Sequence, residues 1–459
     1  MEIQSFQEIS IKAILNGYQY NQWQPHDIIA ICEKAYQRYE PTTQAWVCFD
    51  ALKMDQQVQK SCKSDRKEYR KLEGIPVGIK DIINTEDFPT QMGSPLWEAF
   101  TPGNDARLVS SLKLDGAIIP GKTDTAEFAV HSLNKTMNPH GAEYSPGTSS
   151  SGSAAAVATG MVPCALGSQT AGSIIRPASY CGVFAMKPSY GLLPRTGILK
   201  TTDTLDSMGF FTYFAEDLRI MLDVLCVKGR NYPFSTKLYQ QKDYQKIKLG
   251  LIAPNRHVAN APYAVTELQH WLNKLKINSS VDISLVELPE STSQVHDWHR
   301  IIYHKSLAYY FAKEYQDKSL ISDEMKECIE DGLAISKSQY QEGLRFQAEY
   351  AQDIDIIFQK YDALVCLSTY GEAVKRHEKE IRDLCLLWTL SYVPALNIPL
   401  FKSPNGLPFG MQLVGRRYHD FDLLNVLHFL IENHLVQSSS TAIVRQYEQH
   451  IVQQELSYT

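Results

Sequence analysis

Apolar and polar positions change rhythm along this chain, and the changes predict its elements. Over the first 70 residues the spacing is helical. Positions 27–40 (DIIAICEKAYQRYE) place Ile28, Ile31, Ala35 and Tyr36 on one face, and Pro41 is expected to stop that helix. From Glu73 onward short apolar runs alternate with Gly-rich turns. A strand is predicted at 76–79, a helix at 105–114 capped by Asn104 and closed by Gly116, and a strand at 117–119. The small residues of 153–159 (SAAAVAT) predict a helix that neighbouring backbones can approach closely, and 165–166 and 183–186 predict central strands.

Further along, the pattern predicts a helix at 216–226, strands at 246–252 and 281–288, and long polar-faced helices at 291–317 and 338–360. Strand character returns at 362–367, 396–399 and 409–414, and an amphipathic helix closes at 420–432. Alternating strands and helices indicate an α/β class, expected here as one large domain with a peripheral helical insertion at about 255–360. There is no internal repeat and no low-complexity linker.

Composition narrows the function. The chain has 459 residues, 45 basic against 51 acidic, a net charge of −6 and 44% hydrophobic residues. That balance excludes a disordered chain, and the lack of clustered Lys and Arg argues against a nucleic-acid partner. The nine cysteines include no CxxC pair, which reads as reduced thiols and not as a disulfide framework or a zinc site. The start, MEIQSFQEISIKAIL, lacks the features of a signal peptide, and no stretch of 18 apolar residues exists. A cytoplasmic protein with no membrane partner, metal or cofactor is therefore expected.

Several chemical motifs can be weighed. Residues 116–123 (GAIIPGKT) fit the phosphate-loop pattern GxxxxGK[ST]. Their context is wrong: a helix precedes them, Ile118 and Ile119 favour a strand, and Pro120 removes an amide donor. Nucleotide binding through Lys122 is the least favoured reading. No GxSxG elbow and no HExxH occur. The SxxK pairs Ser64/Lys67, Ser110/Lys113 and Ser132/Lys135 lack an SDN partner and are close to chance.

One segment stands apart. From Tyr144 to Ile175 there is no Asp, Glu, Lys or Arg, and Gly, Ser, Thr, Gln and Pro interrupt it too often for a membrane helix. It reads YSPGTSSSGSAAAVATGMVPCALGSQTAGSIIRPASYCGVFAMKPSYG through to Gly191, and GIPVGIKD at 74–81 precedes it. These stretches resemble the amidase signature family, with its GxPxxxKD lysine, GGSSGGSAA run, GS(D)TGGSxRxPA run and CGxxGxKPxxG run. GKTDTAEFA from Gly121, TLDSMGFFT at 204–212 and, weakly, NIPLFKSPNGLPFGMQLVG from Asn397 continue the resemblance.

The resemblance implies one amidase domain over 1–459, with a central mixed β-sheet covered by helices on both faces. Residues 1–70 would be N-terminal helices, 71–230 the signature core, about 255–360 the peripheral insertion, and 361–459 the return to the core sheet with a C-terminal helix. It also implies a Ser–Ser–Lys triad: Ser173 as nucleophile, Ser149 as bridging serine and Lys80 as base. Backbone amides of Thr170, Ala171, Gly172 and Ser173 would form an oxyanion hole, and Ser150 would contact substrate.

The physics agrees. A serine needs a base within reach, and burial among neutral residues lowers a lysine's pKa enough for it to serve. Ser149 would relay the proton and later donate to the leaving amine. Family members hold this serine through a cis peptide, expected here at Thr148–Ser149 at about 2.5–4 kcal/mol. Taken singly, Ser149 and Ser173 also fit ordinary hydrogen-bonding loop serines. Lys187 and Asp81 match the family pattern but read as structural.

There are departures from the pattern. Gln169 stands where the family commonly has Asp, and Thr148 and Ala171 stand where it has Gly. Arg176 falls three residues after Ser173 instead of two. The branch resembled is that of malonamidase-like and other small-amide hydrolases. The expected function is hydrolysis of a small linear amide or ureide through an acyl-enzyme on Ser173, releasing ammonia or amine. The alternative is a glutaminase-type amidotransferase subunit delivering ammonia to a partner. A homodimer is a further expectation. Arg176 has two readings: a bidentate partner for an anionic substrate, or a guanidinium satisfied by a buried acid or carbonyls that orders the loop before Pro177.

Overall fold

The computed structural model describes residues 3–61, 69–228 and 244–440. The Ser64/Lys67 pair and the ends of the expected N- and C-terminal regions lie outside them.

The strands are β1 (Trp46–Phe49), β2 (Val77–Lys80), β3 (Gly121–Thr123), β4 (Cys164–Gln169), β5 (Phe184–Lys187), β6 (Ser207–Thr212), β7 (Ile247–Leu251), β8 (Val281–Leu285), β9 (Ala363–Leu367), β10 (Ala395–Lys402) and β11 (Pro408–Val414). Among the described residues they form one 11-stranded sheet ordered β1-β3-β2-β4-β6-β5-β10-β11-β9-β7-β8. The β3-β2-β4 and β9-β7-β8 neighbours are parallel, and the remaining pairs are antiparallel. Every residue of β2, β4, β5, β6, β9 and β11 is buried, without alternation, so helices cover both faces of the sheet's centre. The edge strands β1 and β8 are half exposed.

The helices are α1 (Ile11–Gln19), α2 (Pro25–Thr43), α3 (Ala51–Ser61), α4 (Arg107–Leu114), α5 (Ser151–Ala158), α6 (Ile175–Cys181), α7 (Asp217–Leu225), α8 (Pro262–Ile277), α9 (Val295–Tyr310), α10 (Asp323–Ala334), α11 (Lys337–Ile357), α12 (Cys385–Leu390) and α13 (Asp420–Glu432). Helices α5 and α6 pack on each other and on the sheet, while α9 gathers α10, α11 and α12 around it. The segment 255–360 is mainly helical and supplies β8, within the strand expected at 281–288, to the sheet.

Several local readings differ from the pattern: strand β1 lies within the N-terminal region expected to be helical, and the helix expected over 291–317 is reduced to α9. Helix α2 runs past Pro41 to Thr43. Thr42 and Thr43 hydroxyls donate to Tyr39 O, and the Glu40 carboxylate accepts the amides of Ala45 and Trp46, bonds that hold the chain in place beyond the proline. Asn104 does not cap α4, whose N-cap is Ala106. Strand β3 begins at Gly121, with Ile118 making only an isolated bridge to Pro76.

Helix α5 is fully buried and consists of Ser, Gly, Ala and Val. Its small residues bring it onto backbone: a Cβ at Gly152 would lie 2.4 Å from Asp124 N and 2.5 Å from Ala45 O. Gly152→Ala must therefore shift α5 and is expected to destabilise by about 1–3 kcal/mol. Urea unfolding measures this, and an unchanged midpoint would refute the close packing.

Candidate active site

Two adjacent parallel strands set the site. Strand β2 ends on Lys80, and its neighbour β4, with Leu166 opposite Ile79, continues through Ser168 to Gln169. Side chains at the carboxyl ends of parallel strands project where the chain turns away, the usual place for a ligand in such sheets. Ser149 and Ser150 lie at the entry to α5, and Ser173 lies in the turn between β4 and α6.

Lys80 is fully buried, with Nζ 2.5 Å from Ser149 Oγ, 2.9 Å from Ser150 Oγ and 2.9 Å from Ser168 Oγ. Burial drives its pKa well below the ordinary lysine value, opposed by the negative charge of Asp206. The hydrogen-bond directions follow from valence. Ser150 donates its one proton to Ser168 O at 3.1 Å, so it accepts from Lys80. A neutral amine has two protons and one lone pair. In the neutral form, donating to Ser150 and Ser168 would leave that lone pair for the Ser149 proton; in the ammonium form all three hydroxyls accept.

Ser149 reaches Lys80 from a tight turn. The Ser150 amide donates to Thr148 O at 2.9 Å and Ser149 has φ 67°, the form of a γ-turn, which is rare and strained. The expected cis peptide is absent: all peptides among the described residues are trans. The left-handed backbone of Ser149 turns the chain instead.

The turn 170–173 is tied down at several points. Thr170 Oγ1 donates to Asp206 Oδ1 at 2.9 Å, and Thr170 O accepts from His299 Nε2 at 2.8 Å. Ala171 O accepts from Thr389 Oγ1 at 2.8 Å, and Gly172 O accepts the Arg176 amide at 2.9 Å. Among the described residues the amides of Ala171, Gly172 and Ser173 make no hydrogen bond, and neither does the Ser173 hydroxyl. Lys80 and Ser149 are thus joined directly, whereas no hydrogen bond links Ser149 to Ser173. Such contacts often tighten only when substrate binds. A Cβ at Gly172 would meet Arg176 Nη2 at 2.8 Å and Cys385 Cβ at 3.2 Å, so glycine allows the close packing here.

Gln169 is buried beneath this turn. Its Oε1 accepts the amides of Ile174 and Ile175 at 2.9 and 3.1 Å, and its Nε2 donates to Thr389 Oγ1 at 3.0 Å. Aspartate could make the first two bonds but not the third.

Two residues have different surroundings from those expected. Ser150 is fully buried in the lysine cage and presents no surface to a substrate. The Arg176 guanidinium, expected to meet an anionic substrate, is paired internally: Nε lies 2.7 Å from Asp383 Oδ2 and Nη1 bonds Glu380. Glu380 in turn accepts from Thr148 Oγ1 at 3.3 Å. A cavity of about 690 Å³ opens beside these groups, lined by Thr148, Ala171, Arg176, His299, Tyr303 and Glu380 among others. Burial pushes the His299 imidazole down to about 3.

The other lysines singled out by sequence are structural. Lys122, from the phosphate-loop match, is fully buried with Nζ 3.1 Å from Asp81 Oδ1 and 2.7 Å from Thr90 Oγ1. Lys187 is held by Val393 O at 2.6 Å and Pro188 O at 3.0 Å. Among the described residues no group of His, Cys, Asp or Glu is arranged to hold a metal.

Comparison with known proteins adds the following. The Amidase family model matches residues 27–424. A glutamyl-tRNA(Gln) amidotransferase subunit of Sulfurihydrogenibium sp. (strain YO3AOP1) is 30% identical, over 91% of this chain and 96% of its own length. The same subunit from Koribacter versatilis (strain Ellin345) is 28% identical, over 87% and 93%. The solved structure of the peptide amidase from Stenotrophomonas maltophilia superposes with a TM-score of 0.80 at 20% identity, covering 96% of this chain and 99% of that one, a likeness of fold.

The Arg176 cluster generates a prediction. Removing the guanidinium with Arg176→Gln strands two largely buried carboxylates, so chemical denaturation should show a loss of about 3–5 kcal/mol. Neutral and anionic amides should then lose turnover alike. A loss confined to anionic amides in a fully stable variant would instead make Arg176 a substrate ligand.

Proposed function

The chain belongs to the amidase family, and we propose that it cleaves the C–N bond of a carboxamide through an acyl-enzyme on Ser173. The observation that carries this reading is the fully buried Lys80, bonded to Ser149 beside the nucleophile turn with no carboxylate among its hydrogen-bond partners. Neutral Lys80 takes the Ser149 proton as Ser149 takes that of Ser173, and Ser173 Oγ bonds to the substrate carbonyl carbon. The unpartnered amides of Ala171, Gly172 and Ser173 receive the oxyanion. Collapse breaks the C–N bond, and the leaving nitrogen takes a proton back through Ser149 from Lys80. Water then releases the acid by the same path in reverse.

For the substrate, the curated relatives favour the glutaminase-type reading. They are named as amidotransferase subunits and match this chain over most of their own length. Glutamine would supply the amide nitrogen, and a partner protein would take the ammonia. A free-standing hydrolase of small amides is the second reading, favoured by Gln169, Thr148 and Ala171, where the family commonly has Asp, Gly and Gly. Ammonia release from L-glutamine that rises with a co-purifying partner supports the first. Ready release from simple amides such as propionamide by the isolated chain, with glutamine inert, supports the second.

Two kinetic tests address the chemistry itself. Ser173→Ala should abolish ammonia release, and Lys80→Ala should lower it by several decades. Lys80→Ala/Ser149→Ala should be scarcely worse than the worse single variant, because relay members act as a unit; additive losses would count against a shared relay. Only the unprotonated amine accepts a proton, so kcat/KM should climb with pH through the depressed Lys80 pKa and level off well below the ordinary lysine range. A profile still rising where free lysine ionises would contradict a neutral base.

A further inference from the structure

We propose that His299 and Thr389 are positioning residues that aim the oxyanion-binding amides, an inference that rests on the amide-cleavage reading above. A trans peptide is planar, so its carbonyl and its N–H point in opposite directions. Anchoring the carbonyl of one residue therefore fixes the N–H of the next. Here three successive carbonyls are anchored. His299 Nε2 holds Thr170 O at 2.8 Å and so sets the Ala171 amide. Thr389 Oγ1 holds Ala171 O at 2.8 Å and sets the Gly172 amide. The Arg176 amide holds Gly172 O at 2.9 Å and sets the Ser173 amide. These are the same three amides that have no partner of their own.

Two of the anchors are side chains from distant parts of the chain, 129 and 218 residues away. Each has a forced direction. A carbonyl only accepts, so His299 must carry its proton on Nε2. The two backbone amides on Gln169 Oε1 fix the orientation of its amide, so Nε2 must donate to Thr389 Oγ1. The single Thr389 proton is then free for Ala171 O at 2.8 Å, with Cys385 O farther away at 3.2 Å. Gln169, in the position where the family commonly has Asp, thus orients the second anchor. An aspartate would compete for that proton.

Pre-set amides matter because they need no reorganisation when negative charge develops on the bound oxygen. Loss of an anchor lets its peptide rotate and weakens the transition state without removing the nucleophile or its base. The predicted signature is a fall in the chemical step with little change in reversible binding.

The test uses the full chain and an alkyl fluorophosphonate. Ser173 Oγ displaces fluoride from phosphorus, its proton passes through Ser149 to Lys80, and the P=O oxygen occupies the oxyanion site. Mass spectrometry gives kinact and KI, and circular dichroism gives Tm. In Thr389→Val and in His299→Leu, kinact is expected to fall about ten- to a hundredfold, with KI and Tm close to those of the unaltered protein. Thr389→Ser and His299→Gln restore a donor and should recover most of the rate. Should Thr389→Val unfold, His299→Leu and its rescue carry the same comparison. Unchanged kinact in a folded variant, or parallel changes in kinact and KI without rescue, overturns the proposal. If the unaltered chain is not labelled at Ser173, the acyl-enzyme reading itself fails, and the aiming role falls with it.

Discussion

The site depends on keeping one amine out of water and away from close negative charge. A buried ammonium carries a desolvation penalty of several kcal/mol unless an anion compensates it. Lys80 receives three hydroxyls instead, which solvate the neutral and charged forms without fixing either. This explains why the chain from Tyr144 to Ile175 contains no charge. A carboxylate next to the cage would hold the proton on Lys80, and a second cation would sit unpaired. It also explains the small residues of α5, whose entry must bring Ser149 and Ser150 onto the end of β2.

Comparison of three buried lysines makes the same point. Lys122 faces the Asp81 carboxylate, which supports its charged form. Lys187 donates to two carbonyls near Asp420, with its pKa lowered to about 7 by burial. Both tie the sheet to neighbouring chain; the Lys187 partners have no proton to give, and the Thr90 hydroxyl beside Lys122 donates its own to Ile83 O at 3.4 Å. Of the three, Lys80 alone is surrounded by hydroxyls, with neither a carboxylate nor a carbonyl among its hydrogen-bond partners. Burial is common to all three; the bonding partners are what differ.

Much of this was legible in the sequence. Strands β2, β4, β5, β7, β9 and β11 and helices α5, α7 and α13 announced themselves through short apolar runs and helical spacing, and ordered motifs marked Lys80, Ser149 and Ser173. Ser168 lay inside a quoted motif, yet only the pairing of β4 with β2 brings its hydroxyl to Lys80. His299 and Thr389 carried no local signal, because their contacts join segments far apart in sequence. Their helices read as polar-faced or went unmarked. Ser150 and Arg176, expected to meet substrate, are instead occupied by Ser168 O and the carboxylates of Glu380 and Asp383, tertiary partners that cannot be read from spacing.

The departures from the family pattern fit one another physically. A carboxylate at position 169 could accept the amides of Ile174 and Ile175 but would compete for the Thr389 proton. Gln169 satisfies those two amides, and its extra donor orients Thr389. Glycine at 171 would leave the turn 170–173 free to rotate. With the carbonyls of Thr170, Ala171 and Gly172 all anchored, and Ala171 outside the left-handed region, that freedom is not needed. A methyl group at 171 restricts the unfolded chain further and is tolerated where the backbone is already fixed. Alanine at 171 and glutamine at 169 are therefore two parts of one solution: a turn whose carbonyls are anchored and whose anchor Thr389 is itself held in direction.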